Sequence, residues 1–355
     1  MNTGKVSGNV LKRSVLRQLT TQREEVLNGA GIGEDCAILS FSDDLSVTCM
    51  QEAVVAASES GHSDGNAFGP RFTMSHLIQK CANNLAAAGA KPVAVTITLL
   101  LPDQIEEAEL KTLMAEAEEQ CSRLSVAVAG GQSRVTKAVS FPVAVVAGFG
   151  RLPRSDTLGK LRYTAAAAEP GQDVVVSKWI GLEGTVFLAH RCREKLLARY
   201  PAYLVEEALG FCRYLSVLPE AFVAVKSGVC AMHDASEGGI FAALWELAEG
   251  AGVGLTVDLK KLPLRQETVE VCECCGVNPY ELLSGGCLVM TTDDGPGLVS
   301  ALCANQIPAV IVGKVTDGNA RILLNGDEVR YMDRPKTDEL YRFYEENQWN
   351  GLKPL

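Results

Sequence analysis

The sequence predicts a two-domain α/β protein. Its 355 residues are 47% hydrophobic and 21% charged, which is more apolar material than one compact domain usually buries. Strand patterns and helix patterns alternate along the chain, as they do in folds that pack helices against a sheet. A polar, proline-containing stretch (RLPRSDTLGK) begins at residue 151 and separates two such regions. We therefore predict an N-terminal domain at residues 1–152 and a C-terminal domain at residues 153–355.

Charge and hydropathy argue against two classes of protein. The chain has 33 Lys and Arg against 43 Asp and Glu, a net charge of -10, which repels nucleic-acid phosphates and anionic lipids. No apolar run approaches the roughly 20 residues that a membrane-spanning helix needs, and the first residues lack the apolar core of a signal peptide. We expect a cytoplasmic protein that binds neither nucleic acid nor membrane.

Cysteines are numerous, with twelve in the chain. Most lie inside apolar runs, where a thiol behaves as a small buried hydrophobe, so we expect reduced thiols. The one cluster is Cys272, Cys274 and Cys275 in the segment VCECCG. Zinc sites normally separate paired ligands by two or more residues. A plain helical segment is therefore favoured over a metal site.

Hydrophobic periodicity predicts the elements of the first half. A long Gly- and Ser-rich loop is expected at residues 56–72, and Gly89 is expected to end the helix that begins at Met74. In chain order we predict strands at 35–41 and 45–50, the helix from 74, a strand at 93–101, a helix at 110–124, and strands in the segments VAVAGG and VSFPVAVVAGFG.

The second half has a similar pattern. Its first strand is expected at 173–178, a Gly-marked turn follows, and helical stretches continue to about residue 228. In chain order we predict that strand, a helix at 182–198, further helices to 228, and strands at 286–292, 308–315 and 320–325.

Four segments combine glycine with a carboxylate or an amide at an expected strand end or helix start. Glycines let backbone N–H groups approach a phosphate closely. Carboxylates beside a phosphate repel it unless a divalent cation lies between them, so the combination suggests Mg²⁺-nucleotide chemistry. The segments are GIGEDCA (31–37), AGGQS (129–133), GLEGT (181–185) and HDASEGG (233–239).

Each of these segments also has a purely structural interpretation. Ser236 can cap a helix that follows it, and Glu237 suits the positive end of the helix dipole. Gln132 can be an ordinary turn residue, and Asp35 can open the first strand. Asp234 and Glu237 are three residues apart, so at a helix start they would lie on one side of one turn.

The order and content of the segments resemble the AIR synthase (PurM-like) family, in particular its HypE-related hydrogenase maturation group. The resemblance rests on GIGEDCAIL, CANNLAAAGAKPVAVTITLLLP, VAGGQSRV, GLEGT, HDASEGGIFAALWELAEGAGVGL and ELLSGGCLVM, and runs from about Gly4 to about Val315. It implies an N-terminal domain that forms a β-barrel with its copy in a homodimer. ATP and Mg²⁺ would lie between the domains, and the C-terminal α/β domain would complete the site.

The resemblance also implies roles for particular residues. The implied catalytic residues are Asp234 and Glu237, the metal ligands are Glu34 and Asp35, and the cofactor-binding residues are Gly33, Asn84, Gly130, Gly131 and Gln132.

Three positions depart from the family pattern. Asn83-Asn84 stands where the family usually has Asn-Asp, Gln132 stands where it has Asp or His, and Met50 stands where it has an Asp. An amide oxygen can ligate Mg²⁺ but brings no charge, and a thioether suits neither its hardness nor its geometry. We expect these changes to weaken a Mg²⁺-ATP site.

The positions of the cysteines bear on which reaction of the resembled family this chain could catalyse. HypE proteins carry a terminal cysteine on a flexible tail, whereas this sequence ends in YEENQWNGLKPL and its last cysteine is Cys303. We therefore do not expect the cyanide-forming reaction. No cysteine lies in the N-terminal tail before Cys36, and this absence argues against selenophosphate synthesis.

Two functional hypotheses remain. The first is an ATP-dependent enzyme that phosphorylates an amide or carboxyl oxygen, with Glu34, Asp35, Asp234 and Glu237 holding the metal. The second is a degenerate family member that binds a nucleotide or a partner, such as another maturation protein, without turnover. The lost carboxylates favour the second hypothesis, and the retained glycines favour ligand binding in either case.

Overall fold

The fold comprises two β-sheets, one in each half of the chain. This computed structural model describes residues 8–14, 16–18, 26–28, 31–33, 36–39, 52–62, 73–153 and 162–346. The mixed α/β architecture predicted from the sequence is confirmed. The stretch expected to link the domains falls mostly at 154–161, outside the described residues, so the domain boundary stays a prediction.

The N-terminal sheet has six strands in the order β1-β2-β3-β6-β4-β5. Neighbouring strands run antiparallel, except for the parallel pair β4 and β5. Among the described strands, β1 and β5 are open edges and the sheet does not close into a barrel. The strands are β1 Val26–Asn28, β2 Ala37–Leu39, β3 Glu52–His62, β4 Lys91–Leu101, β5 Ala127–Val135 and β6 Val143–Pro153.

Two long helices cover one face of this sheet. Helix α2 (Thr73–Ala87) packs against β3, β6 and α3 (Glu107–Leu124), and it follows the short helix α1 (Gly8–Ser14) in the chain. The predicted apolar stripe of α2 is buried, and Gly89 follows the helix with φ +76. Both predicted helices of this half are confirmed.

The predicted loop at 56–72 is wrong in its first part. Residues 56–62 belong to β3, which pairs with β6 from Glu52 opposite Pro153 to His62 opposite Val143. The full-length antiparallel pairing with β6 holds the segment extended, and this tertiary pairing outweighs the low strand preference of its glycine and serines. Residues 63–72 and the predicted strand at 45–50 lie outside the described residues.

The C-terminal sheet has seven strands in the order β13-β12-β9-β11-β7-β10-β8. Its strands run antiparallel apart from the parallel pair β9 and β12. The four strands predicted for this half are confirmed as β7, β10, β11 and β12, whereas β8, β9 and β13 were not predicted. The strands are β7 Asp173–Ser177, β8 Ala231–Ala235, β9 Gly254–Asp258, β10 Cys287–Thr292, β11 Ala309–Thr316, β12 Arg321–Asn325 and β13 Glu328–Tyr331.

Eight helices accompany this sheet in the described part of the chain. The helix predicted at 182–198 is divided in two, because Cys192 leaves helical geometry at φ -100 and ψ 21. The helices are α4 Leu182–Arg191, α5 Arg193–Leu197, α6 Ala202–Leu209, α7 Leu218–Lys226, α8 Gly239–Ala251, α9 Gln266–Cys275, α10 Gly295–Ala304 and α11 Glu339–Glu346.

The two halves share one apolar core. Ile78 and Leu85 of α2 belong to the same buried cluster as Met232 of β8 and Met290 of β10. Burial of this area is favourable at roughly 25 cal/mol per Å² of apolar surface. The interface between the halves is therefore a packed core, which fixes α2 against the C-terminal sheet.

Within the described ranges, no single helix is long and apolar enough to cross a bilayer. One helical pair, 202–214 with 218–226, meets the length and composition criteria only when its two parts are taken together, and it is bent by 52°.

Candidate functional site at the domain interface

The segment HDASEGG joins β8 to α8. Asp234 lies within β8 and is only 3% exposed. Gly238 and Gly239 both adopt left-handed conformations, with φ +81 and +69, and α8 begins only at Gly239. The predicted cap by Ser236 is therefore wrong, and Asp234 and Glu237 do not share a helical turn. Two consecutive left-handed residues redirect the chain before the helix can start.

The start of α8 is held by a residue from far along the chain. Asp338 Oδ2 accepts a hydrogen bond from the Gly238 N–H at 2.6 Å, and its Oδ1 accepts one from the Leu340 N–H at 2.8 Å. Burial raises the pKa of Asp338 to about 7, with a further contribution from Glu237, despite these N–H donors. The hydroxyl of Tyr341 donates to Glu237 at 3.2 Å.

A cavity of about 660 Å³ lies between α1, α8 and residues 334–338. Glu237 and Glu246 line it, and His233 Nε2 lies 3.2 Å from Glu246 Oε2. The Arg321 guanidinium stacks 4.0 Å above the Trp245 ring. The cavity thus combines carboxylates, a guanidinium and an aromatic ring, the mixture that ligand sites use for orientation.

Gly33 brings the first glycine-rich segment to this cavity. Its φ is +78, and a Cβ at this position would lie 2.3 Å from the carbonyl oxygen of Glu246. Only glycine allows this contact between the segment and α8. Ile32 lines the cavity together with Glu237. Two of the predicted segments therefore meet here, whereas Glu34 and Asp35 lie outside the described residues.

Helix α2 places His76 and Lys80 beside groups of the C-terminal half. His76 Nε2 lies 2.5 Å from Oε1 of Glu183, which is 1% exposed. Burial alone would raise the pKa of Glu183, but the charges of His76 and Lys80 outweigh it and the net shift is downward. Lys80 also lowers the pKa of Tyr341, which burial and Glu237 raise more strongly. Lys80 therefore acts on Glu183 of the GLEGT segment and on Tyr341, which contacts Glu237 of the HDASEGG motif.

The two asparagines of α2 have different surroundings. The buried Asn83 amide donates to the Leu215 carbonyl at 2.8 Å and accepts from the Val217 N–H at 3.0 Å. These two hydrogen bonds therefore join α2 of the N-terminal domain to the C-terminal domain. Asn84 is half-buried, and its backbone carbonyl oxygen accepts a hydrogen bond from the Cys36 thiol at 3.0 Å. This contact places Asn84 beside the first glycine-rich segment.

Gly130, Gly131 and Gln132 lie in a strand, as predicted for the VAVAGG segment, and not in a turn, while their cofactor-binding role stays a prediction. These residues lie inside β5, where they pair with residues 96–98 of β4, and all three are exposed. A Cβ at Gly131 would lie 1.8 Å from the Ile97 carbonyl oxygen. The parallel ladder with β4 holds this segment extended.

The described residues contain no group of three or more His, Cys, Asp or Glu side chains suited to a metal ion. Glu34 and Asp35, the implied ligands, are not among the described residues. The predicted helical character of the Cys272, Cys274 and Cys275 segment is confirmed, since all three lie in α9.

Several residues of this site were missed by the sequence analysis. His76 and Lys80 are four residues apart on α2, and that polar spacing on an otherwise apolar helix is a signal that could have found them. Glu183 lies in the GLEGT segment, which the sequence analysis selected for its glycines. Asp338 and Tyr341 had no such signal, because they reach the motif from about 100 residues away.

Comparison with known proteins defines the class to which this fold and site belong. The model of the AIR synthase related protein N-terminal domain matches residues 33–152, and that of the AIR synthase related protein C-terminal domain matches residues 169–324. Together they cover most of the chain. The chain belongs to the AIR synthase-related family.

Relatives within this family carry hydrogenase maturation names. A putative hydrogenase expression/formation protein of Methanocaldococcus jannaschii is 25% identical over 81% of this chain and 79% of its own length. Carbamoyl dehydratase HypE of Rhodobacter capsulatus is 27% identical over 67% of this chain and 68% of its own length.

Solved structures share the fold. HypE in a HypE-HypF complex superposes with a TM-score of 0.69 at 19% identity, over 92% of this chain and 99% of that one. HypE in complex with ATP gives a TM-score of 0.66 at 16% identity, over 96% and 97% of the two chains.

Proposed function

We propose that this chain is a HypE-like hydrogenase maturation protein that binds ATP between its two domains. The observation that carries the proposal is the meeting of Gly33 with α8 at the cavity lined by Glu237. In this arrangement a glycine-rich backbone and an acidic motif from the other domain border the same space. The names of the relatives and the ATP complex of a structural neighbour support the assignment.

The chain's own groups have distinct tasks in this proposal. The segment at Gly33 lets backbone N–H groups approach the phosphates. Glu237 is oriented by Tyr341, and Lys80 supplies positive charge beside it. Glu34 and Asp35 are the proposed Mg²⁺ ligands, and Asp234 and Glu237 are the proposed catalytic residues. ATP supplies the phosphoryl group, and in an active enzyme an amide or carboxyl oxygen accepts it.

A second candidate is a nucleotide- or partner-binding accessory protein without turnover. It is favoured by the amides at Asn84 and Gln132, where the family has acidic or imidazole side chains, and by the hydrogen bonds of Asn83 to Leu215 and Val217 across the domains. Fewer carboxylates mean less charge to hold Mg²⁺ and less stabilisation of phosphoryl transfer.

The proposed partners follow from the same family. A second copy of this chain is proposed to pair through the N-terminal sheet. Another maturation protein is proposed as a heterologous partner, since a structural neighbour was solved as a HypE-HypF complex.

Melting temperatures with and without Mg²⁺-ATP test the proposal, because a ligand that binds only the native state stabilises it by mass action. We expect a rise for the parent protein and a loss of most of that rise in Glu237→Gln. Glu206→Gln, which alters an exposed ion pair with Arg193, is the control and should keep the rise. No rise in the parent protein would sink nucleotide binding.

Phosphate release during incubation with Mg²⁺-ATP separates the two candidates. Release above the rate of the Glu237→Gln variant supports the enzyme. A melting-temperature rise without such release supports the non-catalytic protein.

A further inference from the structure

Arg321 of β12 is a buried cationic side chain in the wall of the cavity, where it is 8% exposed. Its guanidinium carbon lies 4.0 Å from the centre of the Trp245 ring, and its Nη2 donates to Glu249 Oε2 at 2.8 Å. Stacking occupies the face of a guanidinium and leaves its edges for hydrogen bonds. These two contacts from α8 therefore hold Arg321 in one orientation.

Arg321 has hydrogen-bond donors that no described residue uses. Of its nitrogen atoms, only Nη2 has an acceptor among the described residues, and Nε is buried without one. A donor on a buried charged group is costly when it has no acceptor, so it calls for an explanation. A guanidinium presents its donors as a planar fork that matches phosphate oxygens. An anion that meets the guanidinium edge in the cavity would supply an acceptor.

Two cations share the carboxylate of Glu249. Besides the hydrogen bond from Arg321, it accepts one from Lys12 of α1, which also lines the cavity. The hydrogen bonds from Lys12 and Arg321 lower the pKa of Glu249 against the effect of burial, so the carboxylate is ionised. The other carboxylate of α8, Glu246, lies 3.2 Å from His233. Among Lys12, Arg321 and Glu249, positive charge exceeds negative charge by one, which favours an anionic ligand.

The first glycine-rich segment lies against the same stretch of α8. A Cβ at Gly250 would lie 3.1 Å from the Ile32 carbonyl oxygen, and one at Gly33 would lie 2.3 Å from the carbonyl oxygen of Glu246. Ile32 lines the cavity, as Arg321 does. The glycine-rich backbone and the guanidinium therefore reach the cavity beside the same turns of α8, and both are groups that bind phosphate.

We propose that Arg321, with Lys12 beside it, binds the phosphates of the ligand in this cavity. The identity of that ligand as a nucleoside triphosphate rests on the proposed function. Arg321 supplies directional hydrogen bonds to phosphate oxygens, whereas Lys12 acts as a point charge. Trp245 and Glu249 are positioning residues, because they act on the ligand through Arg321. Both cations lie outside the four glycine-containing segments of the sequence.

Calorimetric titration of the full chain tests this assignment with two probes, Mg²⁺-ATP and inorganic tripolyphosphate. Arg321→Gln should weaken the binding of both by at least about tenfold, because it removes charge-assisted hydrogen bonds to phosphate. Arg199→Gln also removes one guanidinium, from an exposed ion pair with Glu273, and should change neither affinity. Equal Kd values for Mg²⁺-ATP in the parent protein and in Arg321→Gln overturn the assignment.

Lys12→Gln gives a second test that leaves the core unchanged, since the Lys12 side chain is 49% exposed. We expect it to weaken tripolyphosphate binding by about threefold, the effect of one exposed charge. If Arg321→Gln does not fold, an unchanged tripolyphosphate affinity in Lys12→Gln overturns the assignment.

The outcomes separate this phosphate site from nucleotide binding itself. A parent protein that binds tripolyphosphate through Arg321 but does not bind ATP supports the phosphate site and contradicts the proposed function. A chain that binds ATP equally well with and without the Arg321 guanidinium contradicts the phosphate site alone. A parent protein that binds neither probe overturns both.

Discussion

Individual residues at the domain interface are held by partners distant in sequence. Asp338 accepts the Gly238 N–H just before α8, near where Ser236 was expected to act, and Glu183 is buried against His76 from the other domain. Sequence reasoning identified the acidic motif because glycine and carboxylate stand together in it. It could not identify Asp338, because a hydrogen bond from 100 residues away leaves no local pattern.

Asp338 should make stability depend on pH. Its folded-state pKa of about 7 lies above the unfolded value near 3.8, so between these values the folded state binds more protons. The free energy of unfolding should therefore fall as pH rises from about 4 to about 7. In Asp338→Asn this contribution should be absent, as denaturant titrations across that range can measure. Identical slopes for the parent and the variant would contradict the burial of an uncharged carboxyl.

The contact between His76 and Glu183 should couple the two domains energetically. His76→Gln leaves a buried carboxylate without its main partner, and breaking a buried pair in this way typically costs about 3–5 kcal/mol. The double variant with Glu183→Gln should cost less than the sum of the two single variants. A double-mutant cycle by chemical denaturation measures this coupling. Additive losses would mean that the contact contributes nothing specific.

Secondary structure elements were predictable where their own sequence determines them. The apolar stripe of α2 and the continuous apolar strand β4 are examples. Prediction failed where pairing determines the element, as in the Ser- and Gly-containing β3, which has a full-length partner in β6. Pairing with β4 likewise holds Gly130 to Gln132 in a strand.

Gly33 and Gly228 offer a matched pair of substitutions, since both have φ +78. An added Cβ at Gly228 meets open space, whereas one at Gly33 would collide with the Glu246 carbonyl. Each alanine should cost about 1–2 kcal/mol of backbone strain. Only Gly33→Ala should also abolish the melting-temperature rise with Mg²⁺-ATP. An unchanged rise in Gly33→Ala would remove the glycine-rich segment from the site.

At the scale of the whole molecule, several apolar side chains of the N-terminal sheet are exposed among the residues that the structure describes. Strand β5 is an exposed edge, and Val93, Val135 and Phe149 are 42%, 58% and 38% exposed. Open edges and apolar sheet faces favour pairing with another chain. The predicted homodimer would cover these side chains.

Sedimentation velocity tests the homodimer. We expect a dimer at micromolar concentration and a monomer for Phe149→Glu, because that charge would be buried in the interface. Phe222→Glu alters a more exposed phenylalanine, 63% exposed on α7 of the C-terminal domain, and should leave the dimer intact. A monomeric parent protein would contradict the prediction.

Hydrogen exchange with and without Mg²⁺-ATP tests most directly whether a nucleotide binds between the two domains. Amides of α2 in the N-terminal domain and of residues 233–241 in the C-terminal domain should both gain protection when ATP binds, because ligand binding suppresses local opening on both sides of the site. Protection in both elements is the result we predict. Protection confined to one domain, or none, would contradict a nucleotide site at the interface.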